Sequence, residues 1–182
     1  MSRMRASILG RAAFACLVAA VAAGPALAKD QLEIPIHAVN ARGTGERLGA
    51  ITVSQTDRGA KFSLNLKNMP PGAHGFHLHA VGNCDAAMID GRIVPAGAAG
   101  PIYDPFRSGR HQGPNGRGSL GGLPMIYVSE KGTSLKSVTA PRVQLGDVRG
   151  RALLIKANPD NYSDQPEPLG GSGDAIACGV AR

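Results

Sequence analysis

The chain has 182 residues, 20 Lys+Arg against 13 Asp+Glu for a formal net charge of +7, 43% hydrophobic residues, no Trp, three Tyr and four Phe. A chain of this size can bury one core and fits one domain. The basic residues (Arg107, Arg110, Arg117, Lys131, Lys136, Arg142, Arg149, Arg151) are scattered and aromatics are few, which excludes a stacking platform or phosphate-tracking stripe for nucleic acid.

Arg3, Arg5 and Arg11 form a basic leader, residues 12–23 are an apolar run too short to span a bilayer comfortably, and Ala26-Leu27-Ala28 is a small-x-small cleavage site. Residues 1–28 therefore read as a secretory signal peptide, with a retained anchor as the alternative, and residues 29–182 as the mature domain, periplasmic or secreted and free of the membrane after cleavage. The leader carries three arginines and no acids, so its loss lowers the net charge to +4 and leaves 154 residues. Cys16 leaves with it. The two remaining cysteines, Cys84 and Cys178, have one possible connectivity in an oxidising compartment, two free buried thiols being the alternative. A bridge would close a loop of about 95 residues and stabilise the fold by roughly 4–5 kcal/mol in the chain-entropy picture.

Along the mature chain the pattern is one of short strands. Residues 32–39 alternate, with Pro35 marking an edge or a strand whose N–H side is free, and His37 reads as outward or satisfied. Residues 42–45 are a turn; 48–53 and 61–66 are strands joined by the hairpin-like Thr56-Asp57-Arg58-Gly59. Met69-Pro70-Pro71-Gly72 interrupts the chain before Gly75-Phe76-His77-Leu78-His79. In an extended strand alternate side chains share a face, so His77 and His79 can point at one ion while Phe76 and Leu78 enter a core; two solvated histidines are the plainer alternative.

Residues 84–124 are dense in Gly and Pro and read as one long ordered loop, without strands. Strands resume at 125–128, 137–143 and 152–156, a second loop covers 158–173, and a last strand surrounds Ile176 to Gly179. No stretch carries a long capped helical pattern. Many short strands and two long loops imply an antiparallel barrel or sandwich.

Several of these segments together resemble the bacterial periplasmic copper/zinc superoxide dismutases over essentially the whole mature chain. The segments are Pro71-Gly72-Ala73-His74-Gly75-Phe76-His77-Leu78-His79 through Cys84, Tyr103-Asp104-Pro105, Ser108-Gly109-Arg110-His111, Gly113-Pro114, Asp160-Asn161-Tyr162-Ser163-Asp164, Pro168-Leu169-Gly170-Gly171 and Ala177-Cys178-Gly179-Val180. The resemblance implies an eight-stranded antiparallel Greek-key barrel or sandwich, two long loops, a Cys84–Cys178 disulfide and, as a family expectation, a homodimer. It also implies a copper held by four histidines and a zinc held by three histidines and an aspartate, one histidine bridging both.

Carried over position by position, His77 and His79 are copper ligands and His111 is a remnant zinc ligand. The bridging histidine falls on Ile102, the other two zinc ligands on Ser119 and Gly122, the last copper histidine on Lys156, and the anion-guiding arginine on Ala175, so no catalytic residue remains at that position. Asp160 matches the aspartate that orients ligand histidines. One imidazole does not make a zinc tetrahedron, so zinc is not expected. Lys156, with an ordinary pKa of about 10.4, brings an ammonium toward the copper position. The expectation is a dismutase-like exported protein that serves as a non-catalytic binding or scaffold protein with an unidentified protein partner. Its rivals are a periplasmic protein handling one copper(I) ion through His77 and His79, which suits a soft d10 ion, and a weakly active dismutase converting superoxide to oxygen and peroxide, with His74 as a displaced donor.

Overall fold

Alternation builds the first strands. In β1 (Gln31–Asn40) Leu32, Ile34 and Ile36 are buried while Gln31, Glu33 and Pro35 face solvent. In β3 (Gly59–Leu66) Phe62, Leu64 and Leu66 take the inner face. Between them runs β2 (Gly43–Thr56), paired with β1 on one side and with β3 down to Thr56 opposite Gly59. The hairpin closes as the Thr56-Asp57-Arg58-Gly59 sequence predicts, with Thr56 Oγ1 donating to the Gly59 carbonyl at 2.7 Å and Gly59 at a φ of +106°. This computed structural model describes residues 30–182; the proposed signal peptide, with Cys16, lies outside them.

The remaining strands are β4 (Gly72–His74), β5 (Phe76–His79), β6 (Ala87–Ile89), β7 (Arg92–Val94), β8 (Ile126–Val128), β9 (Ser137–Ala140), β10 (Ala152–Lys156) and β11 (Ala175–Val180). A seven-stranded antiparallel sheet runs in the order β5-β10-β11-β1-β2-β3-β9, and β4 pairs with β8. Only Gly75 separates β4 from β5, so the two are one strand path whose halves join β8 to the large sheet. Counted by paths, eight antiparallel strands enclose the core. The β5–β10 and β3–β9 pairings cross between strands distant in sequence, the Greek-key feature. Pro35 lies in an interior strand rather than at an edge; the β11 ladder on that side pairs from His37 onward.

One apolar cluster spans both halves, from Ile34, Ile51 and Phe62 to Phe76, Leu78, Leu123 and Leu153. The Phe62 and Phe76 rings meet edge to face at 5.4 Å. Among the described residues, helical structure is confined to one turn, α1 (Leu145–Val148), and two 3-10 turns. Among the described residues no helix is long and apolar enough to cross a membrane.

The expectation of a strand-free loop over 84–124 needs correction. β6 and β7 form a hairpin there, turning through Asp90 and Gly91 at φ +49° and +75°. An Asp-Gly pair between Met88-Ile89 and Ile93-Val94 is a hairpin signal that the surrounding glycines and prolines obscured. β9 likewise stops at Ala140, because Pro141 follows. The Cys84–Cys178 disulfide is formed and ties the root of this loop to β11.

Candidate functional site

β5 places the two strand histidines. Phe76 and Leu78 are fully buried in the core, which turns His77 and His79 to the opposite face, as the alternation predicts. That face is covered by the loop. Backbone bridges pair His77 with Gly122 and His79 with Ile102, and Leu78 exchanges hydrogen bonds with Gly121 and Tyr103. A Cβ at Gly121 would strike the Leu78 carbonyl, so only glycine lets the loop approach this closely. On the other edge of β5, Leu154 lies opposite His77, and Lys156 lies opposite Ala175 across a bulge. His77, His79, Ile102, Gly122, Lys156 and Ala175, which span a hundred residues of sequence, are thereby gathered around one strand.

Asp160 brings in His111. Its carboxylate is buried and accepts from His77 Nε2 at 2.8 Å and from His111 Nε2 at 2.8 and 2.9 Å. Tyr162 N–H adds a third donor at 2.7 Å. Burial alone would raise the Asp160 pKa, yet these hydrogen bonds from His111, His77 and Tyr162 hold it far below the usual carboxylate range. His77, His111 and Asp160 form a group close enough to hold a metal ion. At 2.8–2.9 Å the contacts are hydrogen bonds, longer than the ~2.0–2.2 Å of imidazole and carboxylate bonds to zinc.

This arrangement assigns tautomers. With Nε2 donating to Asp160, the lone pair of the His77 ring sits on Nδ1. His79 is the reverse: its Nδ1 donates to the Gly100 carbonyl at 2.7 Å, leaving Nε2 as the acceptor. His79 Nε2 and His111 Nδ1 are both buried without a hydrogen-bond partner. Burial depresses the His79 pKa to about 3. His77 also falls, because burial and the nearby Lys156 outweigh the pull of Asp160. Both are therefore neutral imidazoles near pH 7.

The free nitrogen of His111 has a defined neighbour. A Cβ built on Gly122 would stand 3.3 Å from His111 Cε1 and 3.5 Å from Nδ1. Ile102 is buried, and Ser119 Oγ is committed to the Arg110 carbonyl at 3.1 Å. Lys156 is half-buried, and its ammonium is pushed down by burial and by Arg92, against the attraction of Asp174 and Asp160. Its charge reaches His77 and His79.

His74 does not serve as a displaced donor. Its Nδ1 lies 2.8 Å from the Lys156 carbonyl and its Nε2 lies 2.9 Å from the Pro70 carbonyl, so both nitrogens lock the β4 segment to its neighbours. His37 is satisfied locally, with Nδ1 at 3.3 Å from the Gly45 carbonyl.

Four residues carried no individual signal in the sequence. Asp164 accepts from the His111 backbone N–H at 2.8 Å. Gly170, at φ +74°, leaves space for Asp160, whose carboxylate a Cβ there would overlap. Arg92 forms a two-pronged ion pair with Asp174 at 2.8 and 3.1 Å, joining the β6–β7 hairpin to the segment before β11. The first two lie in or beside quoted motifs; Arg92 and Asp174 are 82 positions apart, and only the fold unites them.

Residues 48–181 match the family model described as copper/zinc superoxide dismutase. The Escherichia coli K12 superoxide dismutase [Cu-Zn] is 42% identical over 173 residues, covering 94% of this chain and 99% of that protein. Solved structures are similar as well, two of them as follows. The Brucella abortus Cu/Zn superoxide dismutase has a TM-score of 0.82 at 38% identity and covers 84% of this chain and 100% of its own. The monomeric copper, zinc superoxide dismutase from Salmonella enterica has 0.76 at 45%, with the same coverage.

Proposed function

The chain belongs to the copper/zinc superoxide dismutase family, and we propose that within it this protein is an exported, non-catalytic binding or scaffold protein. In this reading it has lost the zinc site, the bridging ligand and part of the copper site. The observation that carries the reading is the setting of His111: its free Nδ1 faces the bare Cα of Gly122, beside a hydrocarbon at Ile102 and a hydroxyl at Ser119 turned to a carbonyl.

The donors do not fit the family's metals. Zinc wants about four N, O or S donors in a tetrahedron, and this corner supplies one imidazole nitrogen. The copper corner supplies two imidazoles and, at the place of a further nitrogen, the ammonium of Lys156, which repels a cation. No catalytic step follows from such a set. Ala175, buried opposite Lys156, also offers no charge to draw an anion inward.

The second reading, copper(I) handling through His77 and His79, is favoured by one observation. His79 keeps a buried, neutral Nε2 with no partner, a donor that two-coordinate copper(I) accepts.

Metal content and dismutation measured on the same purified mature protein test these readings. No stoichiometric zinc or copper and no turnover are expected. Copper(I) bound without turnover would select the carrier; tight copper with turnover would overturn both in favour of the weakly active enzyme. The combined variant Ile102→His, Ser119→His, Gly122→Asp, Lys156→His, Ala175→Arg is expected to regain metal. If it folds and binds none, the positional assignments are wrong. Export is tested by sequencing the N-terminus of the protein in a periplasmic extract, expected at Lys29, and sedimentation velocity tests the homodimer carried over from the family.

A further inference from the structure

The fold gathers arginines that are scattered in the sequence. Residues 101–119 double back on themselves, with Ser119 N–H donating to the Arg110 carbonyl at 2.8 Å. Arg107 and Arg110 lie on the outgoing limb and Arg117 on the returning one, all three exposed. Arg142 joins them from beyond β9, its guanidinium donating to the Gly118 carbonyl at 2.8 Å. Among the described residues the arginines held in ion pairs are Arg47, Arg92 and Arg149, so these four have none. Arg107 and Arg110 line an open cleft of about 640 Å³, between Pro101, Ile102, Pro105 and Leu169. Its two acids are engaged within the loops: Asp104 accepts from Ser108 Oγ and Gly109 N, and Asp164 from His111 N. Phe106 stands beside the arginines with 72% of its surface exposed.

We propose that this face is a docking surface for an acidic segment of a partner protein, whose carboxylates pair with Arg107 and Arg110 while an apolar side chain enters the cleft between them. Guanidiniums take carboxylates in two-pronged pairs. Arginine beside an exposed aromatic is the composition of a protein interface. A single exposed ring offers nucleic acid no run of stacking faces, and a flat lipid surface leaves a concave cleft unfilled. The inference deepens the proposed function by naming the chemistry of the partner, and it rests on that reading.

The probe is the peptide acetyl-Asp-Glu-Phe-Glu-Asp-amide, titrated into the whole mature protein while backbone amide resonances are followed. Saturable shifts confined to residues 101–119 and Leu169 are expected. The Asn/Gln counterpart of the peptide is expected to give none. Arg107→Gln combined with Arg110→Gln is expected to weaken binding about tenfold or more. Lys61→Gln combined with Lys67→Gln removes the same charge from exposed positions on and after β3 and is expected to change nothing. Absence of saturable shifts, equal response to the neutral peptide, or equal weakening by the lysine pair would overturn the proposal. So would tighter binding to phosphatidylglycerol vesicles or to oligothymidylate than to the peptide. Metal content and dismutation are measured on the same sample. Bound copper with turnover overturns the non-catalytic reading and the partner surface drawn from it, whereas an inactive protein that ignores the peptide overturns the docking surface alone.

Discussion

Asp160 concentrates the residue-scale energetics, because one buried carboxylate satisfies two imidazoles and a backbone N–H. Asp160→Asn presents an amide with one acceptor oxygen and is expected to destabilise the fold by about 2–3 kcal/mol, read from urea midpoints. Gly170→Ala is expected to act through the same group, since its Cβ would occupy the carboxylate's place at a backbone φ of +74°; the cost is roughly 1–3 kcal/mol by the same measurement. The pH dependence follows from the histidines. His79 is depressed to about 3 and His77 is depressed as well, so below their ordinary pKa of about 6.5 the unfolded chain binds protons that the folded one refuses. Stability is therefore full above that value and falls as pH drops through it, by up to about 1.4 kcal/mol per pH unit for each imidazole. Asp160 adds a further loss below about pH 4, where the unfolded carboxylate protonates before the folded one. Urea midpoints that stay flat from pH 7.5 to 5 would contradict this.

At the scale of elements, β5 is the organising strand and its neighbours hold it from three directions. The disulfide anchors the loop that covers it, closing 94 residues of sequence. Cys84→Ser is expected to cost about 4–5 kcal/mol and to lower the melting temperature by roughly 8–20 °C under oxidising conditions. The Arg92–Asp174 pair is different in kind, since its side chains are 61% and 47% exposed. Arg92→Ala is expected to leave the melting temperature almost unchanged, because water screens an ion pair this exposed. It is nonetheless expected to speed amide exchange in the β6–β7 hairpin, whose Met88 and Ile93 bury little to hold it otherwise.

For the whole molecule, a single apolar cluster joins the strands of both halves of the barrel. Thermal unfolding of the oxidised protein is expected as one transition, coincident by far-ultraviolet circular dichroism and tyrosine fluorescence. Two separated transitions would mean that the loops carry an independent folding unit. The core residues lie on the face of β5 opposite the histidines, so substitutions on the histidine face leave the core closed.

Local periodicity carried the strands of the first third and of the last, because alternation and turn chemistry act between neighbours along the chain. It also placed Phe76 and Leu78 in the core and His77 and His79 away from it. The quoted motifs carried the family, and the corrections came where local signals competed, as at the Asp90-Gly91 hairpin inside a glycine-rich loop. What the linear chain could not contain is which nitrogen of each histidine is free. That was decided by Asp160 reaching across 83 residues to His77 and 49 to His111, and by the Gly100 carbonyl facing His79. Tautomer, burial and the cleft beside His111 all depend on contacts between segments far apart in sequence, and only the closed barrel brings those segments within hydrogen-bonding distance.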